Sequence, residues 1–175
     1  DQGQIETLSK EFPVWISDIN EYYDAYAMIG DIGSITGTDA LAQQLIHDID
    51  KAMLRIPMLP NIRTAYFIWR GPWMVAGHTT YITDLMKRRC GMQNVFTDRP
   101  SRYPEVTNEE IVAVNPQLIL LSSEPYPFKE QHIAELQALC PNALIKLVDG
   151  EMFSWYGSRM REAAGYLDGL VKSLQ

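Results

Sequence analysis

The first part of the chain places its apolar residues at the spacing of amphipathic helices. Isoleucines and tyrosines recur every three or four residues over 18–35, which predicts a helix that ends at Gly37. The same spacing over 41–56 predicts a second helix, which stops at Pro57. The run PVWIS, at 13–17, is typical of a short strand. The chain is therefore expected to begin with one strand followed by two helices.

From residue 64 onward, short apolar runs alternate with amphipathic segments. The runs predict strands at 64–69, 94–96, 117–122 and 143–148. The amphipathic segments predict helices at 79–90, 106–114 and 129–139, and a last helix that runs to the C terminus through Met160, Ala163, Leu167, Leu170 and Leu174. Apolar strands that alternate with helices are typical of a parallel sheet covered on both faces. We therefore expect an α/β fold.

Aromatic residues gather directly after these strands. WRGPW (69–73) follows the first strand, RYP (102–104) the second, EPYPF (124–128) the third and FSWYG (153–157) the fourth. In parallel α/β sheets, ligands bind beyond the carboxyl ends of the strands. Rings that served only the core would lie along strands and helix faces, so the pattern favours an aromatic surface that faces a ligand. Some single rings, including at least one in the last loop, are still expected in the core.

Four arginines lie in or beside these loops, at positions 70, 99, 102 and 159. A guanidinium group binds carboxylate, phosphate or catecholate oxygens and also stacks on aromatic rings. In an acidic protein, four arginines at one edge are more than a solvated surface requires, which favours an anionic ligand. Ordinary surface arginines remain the alternative.

The composition restricts the class of protein. The chain has 175 residues, is 46% hydrophobic and carries a net charge of −7, so it can bury a core but lacks the basic face that nucleic acid requires. No apolar run approaches the roughly 20 residues that cross a bilayer, and the opening residues DQGQIETLSKEF do not resemble a signal peptide. We expect no nucleic-acid partner, and a chain that is either mature or cut from something longer.

Cysteine and histidine give no metal-ligand pattern. Cys90 and Cys140 fall on the apolar faces of predicted helices, where thiols act as small hydrophobic side chains, and a disulfide between them is the alternative. His47, His78 and His132 are scattered along the chain. A bound metal would therefore arrive inside a chelate.

The start of the helix at 106–114 contains one glutamate without a structural explanation. Thr107 and Glu110 have the T-x-x-E spacing of a capping box, which accounts for Glu110. Glu109 is left as a candidate for contact with a partner. Its alternative role is the favourable interaction of an acid with the helix dipole.

Three runs carry a family resemblance: VAGHTTYITDLMKRRCGMQNVF, RYPEVTNEEIVAVNPQLILLSSEPYPF and DGEMFSWYGSR. In order and spacing, residues 13–175 resemble the C-terminal lobe of class III substrate-binding proteins, the helical-backbone metal receptors that serve ABC importers of cobalamin, ferric siderophores and haem. Proteins of this family hold the ligand between two α/β lobes joined by one long helix. The resemblance implies a remnant of the N-terminal lobe at 1–17, the inter-lobe helix and its successor at 18–57, and a Rossmann-like three-layer lobe with a parallel sheet at 58–175.

The resemblance also implies roles for single residues. Tyr103 takes the place of an aromatic side chain that lies against the corrin ring in the vitamin B12-binding member. Glu109 takes the place of a glutamate that docks on arginines of the membrane permease. With the loop aromatics and arginines added, the expected ligand-binding residues are Trp69, Arg70, Trp73, Arg102, Tyr103, Trp155, Tyr156 and Arg159.

The function that the resemblance implies is an extracytoplasmic substrate-binding component, periplasmic or lipid-anchored, that delivers a metal chelate to an ABC permease. The expected ligand is a ferric siderophore, cobalamin or haem, with no intrinsic cofactor and no chemistry on the ligand. Two alternatives remain open. An enzyme on the same sheet is disfavoured because the chain has no G-x-G-x-x-G, G-x-x-x-x-G-K-[ST] or G-x-S-x-G. A pure interaction module would require the loop aromatics to be buried.

The missing part of the first lobe leads to one further expectation. An apolar strand at 13–17 without its neighbours is a template for pairing with another chain. We therefore expect the chain to form a homodimer or to exchange strands through residues 1–17.

Overall fold

The computed structural model describes residues 2–175, in which helices and strands alternate as expected. The helices are α1 (Gln2–Leu8), α2 (Asp24–Thr36), α3 (Asp39–Met53), α4 (Tyr81–Leu85, continued as a π-helix over Met86–Cys90), α5 (Asn108–Val114), α6 (Glu130–Leu139), α7 (Glu151–Ser154) and α8 (Met160–Lys172). The strands are β1 (Ile62–Trp69), β2 (Trp73–Val75), β3 (Met92–Asn94), β4 (Glu105–Val106), β5 (Leu118–Ser122) and β6 (Leu144–Val148).

The sheet is mostly parallel, as predicted, with two short antiparallel strands at one edge. Its order is β4-β2-β1-β5-β6, and β3 pairs with the first half of β1. The pairings β1–β3, β1–β5 and β5–β6 are parallel, whereas β2 is antiparallel to both β1 and β4. The sequence analysis missed β2 and β4, because two or three residues carry no readable period. It also placed β3 at 94–96, two residues too late.

The core has two halves, one on each face of the sheet. Successive residues of a strand point to opposite faces. On β5, Leu120 belongs to the cluster that also contains residues of α2, α3 and α8, while Leu121 belongs to the cluster under α5 and α6. On β1, Tyr66 and Phe67 divide in the same way. The expected three-layer α/β arrangement is therefore confirmed.

The first long helix is shorter than predicted. It begins at Asp24 rather than at residue 18 and spans 13 residues, or about 20 Å. The reason lies in the backbone donors just before it. The N–H groups of Asn20 and Glu21 both donate to the Asp24 carboxylate, and that of Tyr22 donates to Asp84. A turn held by these two carboxylates replaces the first helical turn.

Two glycines end their helices as the sequence indicated. Gly37 follows α2 and Gly91 follows the π-helix, each with φ of 67°. This left-handed conformation favours glycine, which has no Cβ to clash. At Gly91 space is limiting as well, since a Cβ there would lie 2.1 Å from the carbonyl oxygen of Leu59. The second predicted helix, α3, ends at Met53, three residues before its expected end.

The expected strand at 13–17 is wrong. Residues 13–20 have no regular secondary structure, and the preceding residues form the unpredicted helix α1. A strand needs a partner to satisfy its backbone groups, and no strand of residues 2–175 lies beside this segment. Within residues 2–175, no helix combines the length and the apolar character needed to cross a membrane.

Candidate functional site

The carboxyl ends of β1, β5 and β6 lie side by side and carry three loops, 69–73, 123–128 and 149–159. We call these loops the strand-end rim. Side-chain contacts connect the first loop to the second and the second to the third. Trp69 packs edge-to-face on Tyr126, with ring centroids 5.5 Å apart. Trp155 donates from Nε1 to the Glu124 carboxylate at 2.8 Å. The expected convergence of these three loops is therefore confirmed.

In the first loop, the two tryptophans have different surroundings. Trp69 is 39% exposed, whereas Trp73 is 4% exposed and lies on β2. The Trp73 ring packs against Phe67 and Phe128, and its Nε1 donates to Asn108 at 3.0 Å. The sequence analysis expected Trp73 in a loop facing the ligand. That position is wrong, because the chain reverses after Gly71 and buries the ring in an antiparallel strand.

The second loop holds a carboxylate in a fixed position. Glu124 Oε1 accepts from the Ser154 hydroxyl at 3.0 Å as well as from Trp155. Its Cγ would lie 2.6 Å from a Cβ on Gly150, so the absence of a side chain at Gly150 makes room for it. Sequence reasoning did not single out Glu124. Its only signal was its place directly after a buried strand.

The third loop contains one core ring and two exposed ones, as expected. Phe153 is fully buried, Trp155 is 52% exposed and Tyr156 is 41% exposed. The Tyr156 ring packs edge-to-face on Tyr81 at 5.6 Å. An open recess of about 350 Å³ is lined by Ser154, Trp155 and Tyr156. This loop also contains α7 and a 3₁₀ turn at Gly157–Arg159, which the sequence analysis took as irregular.

The loop after β3 contacts the rim less directly than expected. Tyr103 is 38% exposed, and among residues 2–175 it takes part in no ring pair. Arg102 donates to the carbonyl oxygen of Ile19 at 3.2 Å and lies 3.9 Å from the Asp18 carboxylate. This loop therefore contacts the segment that leads into α2.

Each of the four arginines has a carboxylate neighbour within the chain. Arg70 binds Glu135 and lies over the Trp73 ring at 4.3 Å, and Arg99 binds Glu110 at 2.7 Å. Arg159 binds both Glu151 and Glu162. Hydrogen bonds to these carboxylates raise the pKa of Arg70, Arg99 and Arg159. These four arginines therefore do not present the free positive charge that the sequence suggested.

A cluster of tyrosines around one arginine ties the rim to α2. Tyr22 is fully buried, stacks on Tyr81 at 6.4 Å and lies under the Arg89 guanidinium at 4.5 Å. Arg89 also forms an ion pair with Asp50 of α3 at 3.2 Å. Burial raises the pKa of Tyr22. Sequence reasoning treated the tyrosines as one helix face and did not foresee Arg89, which is brought inward by the π-helix.

The capping box at α5 is confirmed. The Thr107 hydroxyl accepts from the Glu110 N–H, and the Glu110 carboxylate accepts from the Thr107 N–H. Glu109 is exposed, and hydrogen bonds from its own N–H and from the Thr107 side chain lower its pKa. A charged carboxylate is therefore presented at the start of α5, where a partner could reach it.

Both cysteines and one histidine are buried in the core. Cys90 and Cys140 are free and buried, and burial raises the pKa of the Cys90 thiol to about 12. His132 is buried in α6, where its Nδ1 accepts from the Lys129 N–H at 2.9 Å. Among residues 2–175, no group of three or more His, Cys, Asp or Glu side chains could hold a metal ion.

A family profile described as "periplasmic binding protein" matches residues 1–139 of the chain. The chain belongs to this family. No match was found among curated proteins. The family assignment rests on most of the chain, including all of the sheet except β6.

Solved structures show the same fold in periplasmic binding proteins. A possible iron-binding protein of Staphylococcus epidermidis has 19% identity and a TM-score of 0.76, with 98% of this chain covering 70% of that one. The vitamin B12-binding protein BtuF of Vibrio cholerae has 17% identity and a TM-score of 0.69, and the match covers 98% of this chain and 69% of BtuF. The heme-binding protein HutB of the same organism has 17% identity and a TM-score of 0.71, and the match covers 98% of this chain and 72% of HutB.

Proposed function

We infer that this chain is the substrate-binding component of an ABC importer and that it carries a metal chelate. The observation that supports this most is the set of exposed rings at the strand-end rim: Trp69, Trp155 and Tyr156. Each ring is held by a neighbour: Trp69 by Tyr126, Trp155 by Glu124 and Tyr156 by Tyr81. Rigid rings at strand ends suit a flat or macrocyclic ligand, because little side-chain freedom is lost when the ligand stacks on them.

The names of the structural neighbours support a metal-bearing cargo. They are described as binding vitamin B12 in one case and heme in another, and as possibly binding iron in a third. A ferric siderophore, cobalamin or haem is the corresponding proposal for this chain. The buried thiols and scattered histidines fit a metal that is bound through its chelate.

The proposed mechanism is capture followed by delivery. The ligand is held between this lobe and an N-terminal lobe to which residues 1–17 belong. The helix α2 resists bending, so capture involves little hinge motion. Glu109, exposed at the start of α5, docks on arginines of the permease, where a charge pair gives orientation and speeds association. ATP hydrolysis elsewhere then releases the ligand. The protein works outside the cytoplasmic membrane, free or lipid-anchored.

Tryptophan-fluorescence quenching by cobalamin, haemin and a set of ferric siderophores tests the proposal, with equilibrium dialysis to confirm stoichiometry. Both this chain and a form that also carries an N-terminal lobe are titrated. Saturable one-to-one binding of a chelate by either form supports the proposal. Absence of binding to both forms by every chelate would remove chelate import as the function.

A pair of variants tests whether the rim is the site. Trp155→Leu removes an exposed rim ring and should weaken binding about fivefold or more, the loss expected for a central aromatic contact. Leu54→Ala is the control, since Leu54 is 66% exposed but lies outside the rim and outside residues 1–17. Equal losses in both variants would place the ligand elsewhere.

A further inference from the structure

Two arginines at the rim already have carboxylate partners. Arg70 and Arg159 are each about one-third exposed and bind Glu135, and Glu151 with Glu162, respectively. An anionic ligand would share these arginines with carboxylates held at hydrogen-bonding distance. The paired carboxylates also reduce the net positive charge that an anion meets at these positions.

Glu124, in contrast, has no cationic partner among residues 2–175. Its hydrogen-bond donors are the Trp155 indole and the Ser154 hydroxyl, both neutral, and both reach the same oxygen, Oε1. The second oxygen, Oε2, has no donor among residues 2–175. The side chain is half-buried between the ends of β5 and β6, so the charge is held at the rim rather than turned away into solvent.

Asp149, another carboxylate at this edge, is differently placed. Asp149 follows β6, and its Oδ1 accepts from the Glu151 N–H at 3.1 Å. The hydrogen bond to Glu151 is the main cause that raises the pKa of Arg159, and the charges of Glu162, Glu151 and Asp149 add to it. Asp149 is thus partly compensated, whereas the charge of Glu124 is not.

The aromatic rings next to Glu124 add to the negative potential of its carboxylate. The face of an aromatic ring carries a negative potential that attracts cations. Trp155 lies beside the Glu124 carboxylate with half of its side chain exposed. The chain as a whole carries a net charge of −7, which further repels anions approaching from a distance. The rim is therefore electrostatically matched to a ligand without negative charge.

We propose that the rim selects its cargo by charge: it takes metal chelates that are cationic or neutral, and Glu124 is the residue that disfavours anionic ones. This inference rests on the proposed function and narrows it. It reverses the expectation drawn from the arginines in the sequence, since those arginines have partners that the sequence did not reveal. Glu124 acts through charge, at a site where Trp155 supplies the contact surface.

The test uses three ferric trihydroxamates that share one metal core. Ferrioxamine B carries one positive charge, its N-acetyl derivative none and its N-succinyl derivative one negative charge. Dissociation constants are measured by titration calorimetry at low and at moderate salt. Affinity should fall from the cation to the anion, by up to about fivefold per charge, the upper range for part-exposed charge pairs. Added salt should reduce the difference.

Glu124→Gln is the decisive variant. The amide oxygen can still accept from Trp155 and Ser154, so the loop keeps its bonds while the charge is removed. At moderate salt, where the field of the remaining charges is screened, the variant should bind the three compounds with nearly equal affinity. Glu11→Gln is the matched control, because it removes the same charge from an exposed residue outside the rim and should leave the order unchanged. Discrimination that persists in Glu124→Gln would overturn the assignment of Glu124.

The outcomes separate this inference from the function on which it rests. Equal affinity for the three compounds, or tightest binding of the anion, overturns charge selection and leaves chelate binding intact. If only cobalamin or haemin binds, the comparison is made between cyanocobalamin and its monocarboxylate, or between haemin dimethyl ester and haemin, with the same expected order. If no chelate binds at all, the proposed function fails and the inference fails with it.

Discussion

Two helices of seven residues each, α1 and α5, show what a short helix requires. The helix α5 buries Ile111 and begins with a reciprocal capping box between Thr107 and Glu110. The helix α1 has no buried residue and no acid in its first turn. Isolated helices shorter than about 12 residues are marginal in water. Sequence reasoning found α5 through its cap and missed α1, because a helix that packs on nothing has no pattern to read.

The same contrast separates the N-terminal segment, residues 2–17, from the sheet lobe. The segment exposes a series of large apolar side chains: Ile5, Leu8, Phe12, Val14, Trp15 and Ile16. In the lobe, residues of the same types fill two clusters on either side of the sheet. An apolar segment that is exposed over this length is typical of an interaction surface. We therefore still expect self-association through this segment, by apolar contact rather than by exchange of a strand.

The largest expected effect is on the free energy of unfolding, when leucine is replaced by alanine in the sheet lobe and in the N-terminal segment. Leu120→Ala removes a fully buried side chain from the central strand β5 and should lower the free energy of unfolding by about 2–5 kcal/mol. Leu8→Ala, at a side chain that is 48% exposed, should change it by less than about 0.5 kcal/mol. Urea unfolding measures both. Similar losses would mean that the segment is packed in solution.

Replacing apolar side chains of the segment should weaken self-association. The double variant Phe12→Ser, Trp15→Ser removes two of the largest exposed rings and should raise the dimer dissociation constant about tenfold or more. Light scattering over a range of concentrations gives the constant. Val112→Ser, on the exposed side of α5, is the control and should have little effect. A parent chain that stays monomeric at all concentrations would contradict the expectation.

Removing the capping box of α5 should have a smaller effect on the free energy of unfolding. Thr107→Ala should lower the free energy of unfolding by about 1 kcal/mol, because the Glu110 N–H loses its acceptor. Thr97→Ala changes an exposed threonine that accepts and donates no hydrogen bond within residues 2–175, and it should be neutral. Thermal unfolding of the two variants side by side decides whether the cap stabilises α5.

The smallest expected effect is a dependence on pH. Hydrogen bonds from the Thr107 N–H and from Arg99 lower the pKa of Glu110 below its ordinary value of 4.5. A lowered folded-state pKa contributes stability above the unfolded value, and this contribution is lost as pH falls through the folded value. Glu110→Gln should therefore lower stability at neutral pH and reduce its loss below about pH 4.5. An unchanged acid limb in urea unfolding would count against this role.

Several local features were predictable because their causes are local. The capping residues of α5, the glycines that end α2 and α4, and the buried strands β1, β5 and β6 all follow from periodicity and from single-residue conformational preferences. The gathering of aromatic loops at one edge was also predictable, since the topology of a parallel sheet places the carboxyl ends of its strands together. The sequence did not predict whether Trp69 or Trp73 faces solvent. That depends on the reversal of the chain after Gly71, which leaves no periodic pattern in the sequence.

The sequence by itself determined the α/β class, the family, the order of the strands' loops and the two buried thiols, since each depends on residue type and spacing along the chain. Only the tertiary structure decided which rings are exposed, which carboxylate each arginine binds and that Glu124 has no cationic partner in the described part of the chain. Those properties depend on side chains brought together from distant positions, as with Arg70 and Glu135. Electrostatic interactions act through space, so the charge of a site is read from its neighbours in the fold rather than from its neighbours in the chain.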